Sequence, residues 1–159
     1  MIMVRSKKRS RLGAEGYEGY RTRVRLIREG RGTYEPLTIA QPRDAYEFLK
    51  DIANYDREVL YSVMLDANNS VIGCEEVSRG SLNTTGAHPR EIYKSAILAN
   101  SLAILLGHNH PSGNLQPSQD DVDFTRAVSR AGEIIGIRLY DHIIVTDKGY
   151  TSLKEKGLL

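Results

Sequence analysis

The stretch LAILLGHNHPSGNLQPSQDDVDF, residues 102–124, decides how this chain folds. Leu102 to Leu106 is a short, unbroken apolar run of the kind that fills a strand buried on both faces. From His108 to Pro117 the composition switches to Pro, Gly, Asn and Ser, which predicts a loop. Ser118 then stands where an N-cap belongs, with carboxylates at 120, 121 and 123 behind it, so a helix starts there and runs to about Gly132. Ile137 to Thr146 follows as a long strand, and Tyr150 to Leu153 as a short one.

Working upstream, Pro89 suits the first position of a helix reaching about Asn100, with Ile92, Ala96, Ala99 and Ala103 as its apolar face. Glu58 to Leu65 and Ser70 to Ser78 read as strands joined at the Asn68-Asn69 turn, a hairpin. Ala45, Phe48, Leu49, Ile52 and Ala53 recur at helical spacing and predict one amphipathic helix over residues 42–55. Tyr20 to Arg28 alternates loosely, like an edge strand with its arginines in solvent, until Gly30 and Gly32 break it. The class is α/β or α+β, a mixed β-sheet flanked by helices.

Composition narrows the function classes. The 159 residues fit one domain. The longest uncharged stretch, Ser95 to Asn109, holds two serines and two asparagines, so no membrane span is expected. Met1 to Arg11 has no apolar core behind its basic residues, and the expected location is cytoplasmic. The lone cysteine, Cys74, excludes an internal disulfide and a thiolate cluster and reads as a small buried hydrophobe in a strand. Any metal must therefore use His and carboxylate ligands. Charge is uneven: residues 1–32 carry 10 Lys and Arg against 3 Glu, while the remainder carries 12 against 17 acids. Residues 1–35 accordingly read as a basic, partly flexible arm open to weak nucleic-acid contact, and 36–159 as the folded domain.

The chemistry concentrates in residues 107–121. In extended backbone, positions i and i+2 point to the same side, so His108 and His110 can converge on one ion. Ser118 starts a helix whose first turn carries Asp121 as third ligand, with Asp120 and Asp123 as alternative acids on other faces. Two neutral imidazoles and one carboxylate suit Zn²⁺ and leave a fourth position for water, the arrangement of a catalytic site.

HNHPSG followed by PSQDD resembles the JAMM signature HxHPx₆SxxD as it occurs in the RadC family. GSLNTTGAHPREIYKSAI (80–97) and GIRLYDHIIVTDKGYTSLKEKGLL (136–159) resemble other segments of that family, so the likeness covers residues 40–159. The resemblance implies an MPN-type, cytidine-deaminase-like architecture and kinship with metal-dependent isopeptidases and proteases. RadC-type chains usually carry a helical N-terminal region similar to DNA-binding helix-hairpin-helix modules. Here only the basic arm stands in that place, so a stand-alone JAMM domain is expected.

The resemblance also implies that a glutamate on the first core strand, here Glu58, is the general base, with Glu75 and Glu76 on the next strand as rivals. Ser118 is either a helix cap or a hydrogen-bond donor to the tetrahedral intermediate. The Asp141-His142 pair can orient a ligand histidine or be satisfied by backbone within its strand, and Asn109 and Ser112, inside the signature loop, either line a substrate groove or satisfy the turn, with no role assigned to them. The function expected is a zinc metallopeptidase or isopeptidase acting on a protein or peptide. A DNA-associated factor or metal-dependent nuclease is the first alternative, and a non-catalytic interaction module the second.

Overall fold

The computed structural model describes residues 37–80 and 87–159. The basic arm, the strand expected at 20–28 and most of the loop at 80–88 lie outside the described residues. The elements run α1 (Pro42–Leu49), a 3₁₀ turn (Lys50–Asn54), β1 (Val59–Leu65), β2 (Val71–Arg79), α2 (Pro89–Leu98), β3 (Ala103–Asn109), α3 (Gln119–Ile135), β4 (Arg138–Thr146) and β5 (Gly149–Ser152).

The hairpin forms as expected. Asn69 sits at φ 57°, the left-handed region that Asn tolerates, and the Asp66 carboxylate accepts the Asn68 and Ser70 N–H groups at 2.8 and 2.9 Å. The five strands are ordered β2-β1-β3-β4-β5. β3 and β4 run parallel, joined through α3, while the other neighbouring pairs are antiparallel. This is a mixed sheet flanked by helices, an α+β fold.

Each face of the sheet has its own core. On one, Leu60, Met64, Ile104 and Leu106 meet Ile92, Tyr93 and Ala96 of α2 and Val128 of α3. On the other, Val59, Val63, Leu105 and Ile143 meet Ala45, Leu49 and Ile52. Each fully buried Leu, Ile or Val contributes about 1.5–3 kcal/mol. All seven residues of β3 are buried, which accounts for the unbroken apolar run. Gly107 is the one residue there with no room for a side chain: a Cβ would fall within 2.3 Å of Leu49 Cδ1.

Four local expectations change. The single helix over 42–55 is α1 followed by the 3₁₀ turn, whose tighter spacing keeps Leu49 and Ile52 in one core. Ala103 opens β3 instead of extending the face of α2, because the chain reverses at Asn100, φ 53°. His108 and Asn109 belong to β3 and not to the loop. Cys74 is exposed: β2 is an edge strand, and α1 with its 3₁₀ turn covers β3, β4 and β5. Among the described residues, no helix is long and apolar enough to cross a membrane.

Candidate metal centre

The two histidines and Asp121 meet beyond the carboxyl end of β3, where ligands commonly bind in sheets with parallel strands. His108 is inside the strand, fully buried, with Leu60 and Ile144 as its register neighbours. His110 lies two residues on, and its backbone N–H still reaches the Val145 carbonyl at 3.2 Å, which keeps it beside the sheet. Ser118 caps α3 and delivers Asp121 on the first turn.

The Nε2 atoms of His108 and His110 are 2.9 Å apart. Asp121 Oδ1 is 3.3 Å from His108 Nε2, and Oδ2 is 3.4 Å from His110 Nε2. Ligands at about 2.0–2.2 Å around tetrahedral zinc are separated by roughly 3.3 Å, so the donor set fits one such ion. His110 Nδ1 is 2.7 Å from the Asn114 carbonyl, which can only accept, so Nδ1 carries the proton and Nε2 offers its lone pair. His108 Nδ1 lies 2.8 Å from His142 Nε2, and His142 Nδ1 lies 2.6 Å from Thr125 Oγ1.

Burial alone would push the Asp121 carboxyl up, but His108 and His110, when protonated on Nε2, and the Ser118 hydroxyl hold it well below the usual carboxylate range. The Asp121 hydrogen bond raises His110 in turn. Burial lowers His142 well below the ordinary imidazole range.

A RadC-like JAB domain profile matches residues 39–158. The chain belongs to the RadC-like JAB domain family. A UPF0758 protein of Moorella thermoacetica is 47% identical over 128 residues, 80% of this chain and 56% of the relative. One of Clostridium beijerinckii is 45% identical over 124 residues, 77% of this chain and 54% of the relative. This chain thus spans about half the length of the curated relatives it matches. Family membership and the His-His-Asp cluster together are compatible with a bound metal ion.

Within this RadC-like domain, Glu58 directly precedes β1, and its charge is among the influences raising His110. The rivals are engaged elsewhere. Glu75 accepts a hydrogen bond from Ser95 of α2, and Glu76 binds Arg79 at 2.9 Å and Tyr61 at 3.1 Å. Asp120 and Asp123 are exposed, and Asp123 accepts from Gln119. Ser118 donates its hydroxyl to Asp121 Oδ2 at 2.7 Å, and its Oγ accepts the Asp121 N–H at 3.1 Å, a reciprocal cap that also aims the carboxylate. Asp141 accepts from Ser152, Lys154 and the His142 N–H and faces away from the cluster's hydrogen bonds.

The loop bearing His110 is pinned from below, with Thr151 donating to the Leu115 carbonyl at 2.7 Å and Lys156 to Gln116 at 3.2 Å. Ser112 accepts the Asn114 N–H within that loop. Two residues escaped the sequence reading. Thr125 had one signal, its place four residues after Asp121 on the same face of α3. Asn109 had none beyond its position between the histidines.

Proposed function

We propose that this domain is a zinc-dependent hydrolase that cleaves an amide bond in a peptide or an isopeptide-linked protein. The supporting observation is the donor set itself: two imidazole nitrogens and one carboxylate lie within 4.8 Å of one another at the end of a buried strand. Three protein ligands with one position left over is a catalytic pattern. His108, His110 and Asp121 would hold the ion, and bound there it would supply Lewis acidity and an acidified water. Glu58 takes the proton from the attacking water and passes it to the leaving amine. Ser118 keeps Asp121 oriented through the cap; donation to an oxyanion would require its hydroxyl to leave Asp121.

The complete ligand set argues against a purely non-catalytic module, and one acid with two histidines suits zinc and acyl chemistry better than nuclease chemistry with Mg²⁺. We divide the chain at 35/36, with the basic arm as a weak, salt-sensitive nucleic-acid contact, and place the protein in the cytoplasm. The deciding experiment incubates zinc-loaded protein with peptide and isopeptide-conjugate libraries, with a chelator-treated control. Chelator-sensitive cleavage supports the reading. Zinc-loaded protein that cleaves neither class overturns it.

A further inference from the structure

We propose that Thr125 and His142 are positioning residues that fix the proton of His108 on Nδ1, so that its Nε2 always meets the metal as a bare lone pair. The inference rests on the cluster being a metal centre. Thr125 has one hydroxyl proton, and it goes to the backbone carbonyl of Asp121, 2.6 Å away. Toward His142 Nδ1, also at 2.6 Å, Thr125 Oγ1 can then only accept, so His142 carries its proton on Nδ1. His142 is wholly buried, and its ring nitrogens meet a hydroxyl and an imidazole. With no carboxylate in hydrogen-bond contact, the neutral ring is favoured. A neutral ring protonated on Nδ1 presents a bare Nε2, and His108 Nδ1 must donate to it across 2.8 Å.

The relay therefore begins on the backbone of one ligand, Asp121, and ends on the ring of another, His108. If the direction reversed, the proton on His108 would sit on Nε2, the atom that faces Asp121 and His110. Second partners of this kind set both tautomer and ring orientation of a ligating histidine.

The test uses the full chain and zinc alone as the probe, titrated against a chromophoric chelator. Thr125→Val should weaken zinc binding about 10–100-fold, with unchanged helical content by circular dichroism. Thr125→Ser, which keeps the hydroxyl, should restore binding close to wild type, a rescue that a packing role would not produce. Independently, ¹⁵N NMR of the wild type should show His142 protonated on Nδ1 and bare on Nε2, a readout that stands even if Thr125→Val fails to fold. Wild-type affinity in Thr125→Val, or His142 protonated on Nε2, overturns the inference alone. Failure of the wild type to take up zinc overturns the metal reading and this inference together.

Discussion

Asn109 holds both chain neighbours of Glu58. Its Oδ1 accepts the Val59 N–H at 2.7 Å, and its Nδ2 donates to the carbonyls of Arg57 at 3.0 Å and Tyr55 at 3.3 Å. The residue between the two histidines is thus buried and spent on placing a loop some fifty residues upstream. Asn109→Leu leaves those backbone groups without their partner, and each such loss costs about 1–3 kcal/mol. The variant should unfold at lower denaturant, keep its zinc and hydrolyse more slowly. Unchanged stability would show that the clamp contributes nothing.

His108→Ala and Asp121→Ala should each release zinc, measured by elemental analysis of purified protein, while wild type holds close to one ion per chain. Asp121 raises His110 above its usual 6.5, and zinc must displace that proton. Wild-type affinity should therefore fall as pH drops through the raised His110 value. Full zinc retention in both variants would remove the ligand assignment.

Glu58→Gln keeps size and polarity but cannot accept a proton, so hydrolysis should be lost with zinc still bound. Glu75→Gln and Glu76→Gln should retain near-normal turnover, since their carboxylates are held by Ser95 and by Arg79 with Tyr61. An inactive, zinc-loaded Glu75 or Glu76 variant beside an active Glu58→Gln would reassign the base.

The hydrogen bond from Arg79 holds the Glu76 carboxyl below its usual 4.5. A depressed folded-state value means that this contribution is present above the unfolded value and is lost as pH falls through the folded one. Glu76→Gln should therefore lower stability near neutrality, flatten the acid limb of a stability-versus-pH curve and converge on wild type at low pH. An acid limb identical to wild type counts against the pair.

Deleting residues 1–19 should leave metal content intact and weaken any nucleic-acid affinity, which itself should fall steeply with salt. Salt-insensitive binding that survives the deletion would locate the contact in the folded domain.

What the sequence made legible was local. An apolar pentapeptide, two histidines at strand spacing and a capping serine three residues before an aspartate sufficed to place β3, α3 and the three donors, because each signal is complete within one turn or one strand. The contact from His142 to His108 spans 34 residues and depends on the parallel register of β3 and β4, which periodicity does not encode. Cys74 was misread for a similar reason: an alternating strand shows that it has two faces, but not which helices reach across the edge. Leu49, the last residue before the break, packs against Gly107, a partner nearly sixty residues away that periodicity does not reveal.

All three donors come from fourteen consecutive residues, 108–121, spanning one strand end and one helix start. A centre so compact in sequence is heritable as a block: one deletion erases it and one graft transfers it. The graft would nonetheless arrive without Thr125 and His142, which lie outside that block. A transplanted copy in another sheet should therefore hold its ion loosely until the host supplies a matching imidazole on the adjoining parallel strand.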